Sequence, residues 1–262
     1  MNKLQKKAAI PAVLIILILS AFAVPSFAEG TIADNNTTFW DGISATFLKM
    51  WAWMPTLLEA AWITLSLSII CVSCGLVIGI PLALGKISKR KIINMPCKAY
   101  IFFFRGTPLL MQLYFLYYTL PMIFPALTIN DSFIAASIAF TLNVAAYLAE
   151  IIRAAIQSID KGQLEAAKSL GMSYGQAMRL IIIPQAYRRM IPPIGNEFIM
   201  VLKDTSLVST IALTDLTYKT KQIASSSASA LVYIPAMIIY LVITAVFTFI
   251  FSKIEKKLSV YE

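Results

Sequence analysis

Long apolar runs separated by short polar segments make up the chain. Five of them, near 56–84, 100–124, 132–152, 190–213 and 231–251, each supply the roughly 20 apolar residues that a bilayer-spanning helix needs. The pattern predicts an all-α membrane protein with a five-helix transmembrane core. The fourth run is interrupted by Pro192, Pro193 and Gly195, which predicts a kinked or broken start to that span.

The first residues form a separate pattern. A basic start (Lys3, Lys6, Lys7), an apolar run over 8–24 and the small-residue ending Ser26-Phe27-Ala28 before Glu29 read as a cleaved secretory signal over 1–28. An uncleaved extra helix is the alternative, since the run is nearly long enough to span; either way Glu29 is left outside. Residues 29–55 then form an extracytoplasmic stretch and 56–262 the transmembrane unit.

Orientation follows from the bases, because cytoplasmic loops retain Lys and Arg. Lys86, Lys89, Arg90, Lys91 and Lys98 fall after the first core span, Arg153, Lys161, Lys168, Arg179, Arg188 and Arg189 after the third, and Lys253, Lys256 and Lys257 in the tail. The opposite loops hold Lys49, Lys219 and Lys221 among several carboxylates. The basic side is expected to be cytoplasmic, with the mature N-terminus outside and the C-terminus inside.

Composition narrows the class. Of 262 residues, 59% are hydrophobic and 13% charged, against roughly 25% charged in a soluble domain, which excludes a soluble enzyme and a disordered chain. The net charge of +9 sits in loops between apolar runs with no aromatic interleaving, so it sets topology and implies no nucleic acid. Cys71, Cys74 and Cys97 lie in or beside apolar or basic segments; with no His in the chain, packing is expected and no metal. No GxxxxGK[ST] phosphate loop occurs, and without His there is no nucleophile triad, so catalysis by this chain is not expected.

The longest segment on the basic side, 160–189, mixes polar and apolar residues and reads EAAKSLGMSYGQAMRLIIIP over 165–184. Its first residues are helix formers, Gly171 permits a left-handed stop, and 174–183 can form a second short amphipathic helix ended by Pro184. Two short helices around a glycine make a knob too small to fold alone, suited to insertion into a partner. This segment resembles the EAA loop of binding-protein-dependent ABC transporter permeases: Glu165, Ala166, Ala167, Gly171, Ile181 and Pro184 match in register, with Ile183 where Leu is usual. The stretches Arg105-Gly106-Thr107-Pro108, AAYLAEIIRAAIQSIDKGQ (145–163) and KDTSL (203–207) are similar to the polar amino-acid uptake branch of that family.

The resemblance implies a permease subunit that takes up polar amino acids by alternating access in a bacterial cytoplasmic membrane. It also implies pairing with a second permease, the same or homologous, above two ABC ATPase subunits. An external amino-acid-binding protein would deliver the solute, while ATP and magnesium would reside on the ATPases and no cofactor on this chain. A secondary transporter or channel is the competing reading; it calls for internal repeats with paired broken helices or rings of coupling charges, and one broken span without a repeat speaks against it.

Polar residues inside spans mark the candidate pathway, because charge at depth is costly unless it meets a cavity or a partner. Asn143, Tyr147, Asn196, Glu197, Lys203, Thr205 and Ser206 either line a cavity able to bind a zwitterion or bond between helices. Glu150 and Arg153, three apart, read as a structural ion pair or as snorkelling side chains. Arg105 is expected near the cytoplasmic start of the second span. The aromatic run Tyr114, Phe115, Tyr117 and Tyr118 reads as an interfacial belt.

Overall fold

The computed structural model describes residues 39–258, and the signal-like segment 1–28 lies outside them. Among the described residues the structure is helical, with no strand. Helix α1 (Phe39–Ile87) is followed by α2 (Lys91–Gly106), α3 (Leu109–Tyr114), a π turn (Phe115–Thr119) and α4 (Leu120–Ile123). Then come α5 (Ser132–Gln157), α6 (Lys161–Ser169), α7 (Tyr174–Ala177), a second π turn (Met178–Ile182) and α8 (Ile183–Asp204). A 3-10 segment (Thr205–Ile211), α9 (Leu216–Ser226) and α10 (Tyr233–Leu258) complete the chain. Helices α1, α5 and α10 are long and apolar enough to cross a membrane alone; the other two traverses are the interrupted α2–α4 and the more polar α8 with its 3-10 extension.

Three boundaries differ from those read in the sequence. Helix α1 has 49 residues, so at 1.5 Å per residue it is roughly 73 Å long and runs through Pro55 without a break at the expected start of the first span. The fourth span is not broken at its start: α8 passes through Pro192 and Pro193 as one helix. Each proline frees the carbonyl four residues back, here on Arg188 and Arg189, which are exposed and can be solvated. The break is in the second span instead, where Thr107 is extended (φ −115°, ψ 144°) because the ring of Pro108 disfavours a helical residue before it.

Pro184 likewise does not end the second loop helix. The π turn over Met178–Ile182 widens the backbone so that Ile183 donates to Met178 O, and Pro184 occupies the first turn of α8, where its missing N–H is tolerated. Loop and fourth span are therefore one continuous helical path.

Helix α1 lies directly along α5 because both present small residues. A Cβ on Gly75 would stand 3.0 Å from Val144 Cγ1, and one on Gly79 3.1 Å from Ala145 O, with Ala145, Ala146 and Ala149 buried opposite. This small-xxx-small spacing lets backbones approach where lipid offers no hydrophobic driving force. Leu67, Phe140, Val144, Leu148, Phe198 and Val201 join α1, α5 and α8 in one apolar core. Cys71 is buried in that core and Cys74 exposed, both as free thiols.

Helix ends are capped by carboxylates. Asp131 accepts from the N–H groups of Phe133 (2.7 Å) and Ile134 (3.1 Å) at the start of α5. Asp215 accepts from Tyr218 (2.8 Å) and Thr217 (3.1 Å) at α9; burial pushes its carboxyl up to about 6, against the opposing pull of those bonds.

Candidate translocation cavity and coupling loop

The interruption of the second traverse is the centre of the site. Helix α2 starts at Lys91, so Arg105 lies about 21 Å along its axis, in the last turn before the break at Thr107. Ending a helix within a traverse frees carbonyls that need new partners, and two side-chain amides meet them. Gln112 Nε2 donates to Phe104 O (3.0 Å), Thr107 O (3.1 Å) and Thr107 Oγ1 (2.7 Å). Asn143 Nδ2 donates to Phe104 O (2.9 Å) and to Gln112 Oε1 (3.0 Å).

This network holds the Arg105–Pro108 backbone open toward α8. Replacing Gln112 with leucine keeps the volume and strips the side-chain bond from Thr107 O, leaving Phe104 O to Asn143, at an expected cost of about 1–3 kcal/mol. Thermal unfolding of the detergent-purified protein should then start several degrees lower; an unchanged midpoint would show that Asn143 alone suffices.

A cavity of about 310 Å³ lies beside the break, lined by Arg105, Gly106, Thr107, Pro108 and Leu109, by Asn143, Val144 and Tyr147 of α5, and by Glu197, Met200, Val201 and Asp204 of α8. The guanidinium of Arg105 stands over the Tyr147 ring, 5.1 Å from its centroid, and forms no ion pair among the described residues. Glu197 is 8% exposed. Its carboxyl has neither a hydrogen-bond partner nor an ion pair among the described residues. A buried carboxyl without a partner at membrane depth is expensive, and its opening onto a cavity supplies the place where a partner can sit.

Of the sequence-predicted pathway residues, Asn143, Tyr147 and Glu197 meet on this cavity. Asn196 and Lys203 are exposed on other faces of α8. Thr205 is buried with its hydroxyl donating to Leu202 O (2.7 Å), and Ser206, half-buried, accepts at its carbonyl from Ser209 (2.8 Å). Gln112 and Asp204 are residues that sequence reasoning missed, and Arg105, outside the predicted pathway set, lines the cavity with Asp204.

The pair Glu150 and Arg153 is present: Arg153 Nε donates to Glu150 Oε1 (2.8 Å), and Lys86 Nζ reaches Glu150 Oε2 (2.6 Å), joining the basic ends of α1 and α5. The aromatic run after the break packs ring against ring, with the Tyr118 hydroxyl donating to Thr210 O (3.3 Å).

At the basic end the loop of 160–189 forms the expected knob. Asp160 caps α6 by accepting from Gly162 N (2.7 Å), and Ser173 and Gln176 form a capping box at α7. Gly171 takes the left-handed conformation (φ +80°) between the two helices. Within the motif Ala167 is buried, Ile181 half-buried, and Glu165, Ala166, Gly171 and Pro184 exposed.

The knob is fixed to the spans on both sides. Ala155 and Ile159 from the end of α5 pack on Ile182 and Ala186, and Arg189 donates to Ser158 O (2.6 Å) and Oγ (3.1 Å). Its outer surface carries Leu170, 81% exposed, with Tyr174 and Leu180 also exposed. An apolar tip on a rigid, charged knob is suited to burial in a protein partner.

Residues 75–260 match the family described as the binding-protein-dependent transport system inner membrane component. The chain is 40% identical over 225 residues to the probable amino-acid permease protein YxeN of Bacillus subtilis (strain 168), covering 86% of this chain and 97% of that one. It is 38% identical over 212 residues to the glutamine transport system permease protein GlnP of Escherichia coli (strain K12), covering 80% and 96%. Among solved structures, an amino acid ABC transporter with histidines shares a TM-score of 0.76 at 40% identity, covering 80% of this chain and 98% of that chain. The MetNI methionine ABC transporter in an inward-facing conformation shares the fold, with a TM-score of 0.69 at 19% identity over 79% and 98%.

Proposed function

The chain belongs to the binding-protein-dependent inner membrane components, the permease subunits of ABC importers, and from that premise we propose that it carries amino acids, with a preference for those bearing a cationic side chain. Membership makes it a membrane transport subunit without an ATPase site of its own, working with ATPase subunits and a binding protein. It also removes the secondary-transporter reading, since the energy comes from those ATPases.

The observation that carries the substrate reading is the convergence of Arg105, Glu197 and Asp204 on one cavity. A guanidinium offers a bidentate partner to an α-carboxylate, and a carboxyl offers one to an α-ammonium. A zwitterion cancels one of each, which leaves one carboxyl over, and a positive side chain is what completes it. Asn143 and Tyr147 supply further polar contacts. Relatives named for glutamine, cystine and arginine transport fit an amino-acid solute.

In the proposed assembly two permeases stand above two ATPases, with the basic end cytoplasmic, the C-terminus inside and the mature N-terminus outside. Residues 1–28 act as the signal, 29–55 stay extracytoplasmic, and 56–262 form the transporting unit. ATP binding draws the ATPases together, and Glu165, Ala166, Ala167, Gly171, Ile181 and Pro184 transmit the movement. Because the knob continues without interruption into α8 and packs on the end of α5, a rigid-body shift of the knob moves both walls of the cavity. ATP must favour the outward-facing arrangement over the inward-facing one for import to proceed.

The test is ATP-driven uptake by the assembled transporter in liposomes, comparing radiolabelled arginine and lysine with glutamine and cystine. Arginine or lysine should be taken up with the highest kcat/KM. Preference for a neutral amino acid would overturn the cationic assignment, and no amino-acid uptake at all would overturn the substrate class.

A further inference from the structure

A second opening adjoins the cavity. A fissure of about 340 Å³ is lined by Lys86, Lys98, Ile101, Phe102, Arg105 and Gly106, so Arg105 and Gly106 belong to both spaces. Lys98 precedes Arg105 by about two helical turns on the same face of α2, roughly 10 Å nearer the basic end. Lys86 stands across from it at the end of α1. Among the described residues that line the fissure there is no carboxylate; Glu150 is shared by Lys86 and Arg153, and Glu197 and Asp204 face Arg105 from the central cavity, so positive charge prevails toward Lys98. Its remaining wall, Ile101 and Phe102, is apolar.

We propose that this fissure is the exit half of the solute path, in which Lys98, supported by Lys86, receives the solute's carboxylate from Arg105 and hands it to the cytoplasm. The inference rests on the reading of Arg105 as the carboxylate site and of the basic end as cytoplasmic. A carboxylate leaving a guanidinium between apolar walls loses its partner before it regains water. A second cation within about 10 Å lowers that barrier for the carboxylate end, which leads while the solute's cationic groups trail toward Glu197 and Asp204, as successive weak sites do in conducting pores. Attraction must be strong enough to draw the solute on and weak enough to let it go. An exposed lysine lining the fissure, on a flexible stem, meets both demands. A phosphate of an anionic lipid headgroup could use the same ammonium groups; the continuity of the fissure with the central cavity through Arg105 favours the solute.

The experiment uses the full transporter, reconstituted with its ATPases and binding protein, and radiolabelled L-arginine and L-glutamine. Lys98→Gln should lower the maximal uptake rate about five-fold and Lys98→Glu further, while Lys98→Arg stays within about two-fold of wild type. The affinity of the detergent-purified complex for the transported amino acid should be unchanged in all three. The exit route is overturned if Lys98→Gln and Lys98→Glu transport normally, or if affinity falls in parallel with uptake. It is also overturned if the defect appears with phosphatidylglycerol in the liposomes and vanishes in phosphatidylcholine alone, which would identify a lipid headgroup site. Arg105→Gln run in parallel separates the two layers of the argument. If it binds amino acid as wild type does, the carboxylate reading fails and the exit route with it. If it loses binding while Lys98→Gln transports normally, the exit route alone fails.

Discussion

Arg105→Gln is expected to reduce the affinity of the assembled transporter for its amino acid by about a hundredfold, with the fold and the ATPase contacts intact. The reason lies in the position of the residue. Arg105 closes α2 beside the cavity, its guanidinium rests on the Tyr147 ring, and no carboxylate of the described residues pairs with it. Removing one partner of a desolvated charge pair costs about 2–5 kcal/mol, and each 1.4 kcal/mol is a factor of ten. Lysine at the same position keeps the charge and loses the fork, so Arg105→Lys should fall between. Glu197→Gln is expected to act differently: it removes one of the two carboxyls, so uptake of arginine and lysine should fall while that of glutamine holds or rises. Calorimetric binding to the detergent-purified complex, with amino acid as titrant, checks both. Wild-type affinity in Arg105→Gln would remove the guanidinium from the binding site, and an unshifted preference in Glu197→Gln would remove the charge argument for a cationic solute.

The site was partly legible in the sequence, and what escaped did so for identifiable reasons. Asn143 and Glu197 stand out because an amide and a carboxyl in an apolar run must find a partner, and both line the cavity. Lys203 stands out for the same reason, yet on a helix only residues about one or two turns apart share a face. Asp204 stands two turns from Glu197 and faces the cavity with it; Lys203, one residue earlier, points elsewhere. That spacing could have found Asp204. The apolar pattern starts the second span near residue 100, whereas α2 begins at Lys91 and carries Arg105 in its last turn. Basic residues at 91 and 98 hid the start of a helix that is amphipathic because its basic side borders the fissure. The second and fourth spans both carried prolines, and sequence pattern gives Pro192 and Pro193 more weight than Pro108. The outcome turned on surroundings: the carbonyls freed in α8 are exposed, and those freed beside Pro108 are answered by Gln112 and Asn143, which come together only in the fold.

Gly171→Val is the second large expected effect, a loss of about tenfold or more in ATP-driven uptake with little change in amino-acid affinity. Gly171 sits at φ +80° between α6 and α7, and a Cβ built there meets nothing within 4 Å. Any penalty is therefore conformational and not steric crowding: an L-residue in the left-handed region costs roughly 1–2 kcal/mol, most of all when β-branched. Such a cost shifts the loop away from the geometry that aims Leu170 and Tyr174 outward, by about the factor of ten that each 1.4 kcal/mol represents. Asparagine tolerates the same region, so Gly171→Asn should retain most of the uptake. The contrast between the two variants is the informative quantity. Val and Asn add comparable bulk on the same exposed surface, so equal defects would point to contact with the ATPase at this position, whereas a defect confined to Val assigns the role to backbone shape. Co-purification of the ATPase subunits with each variant gives the readout: retention should fall for Gly171→Val and hold for Gly171→Asn. If both variants keep the ATPase and couple normally, the knob does not depend on its left-handed turn, and force must pass through the α7–α8 path alone.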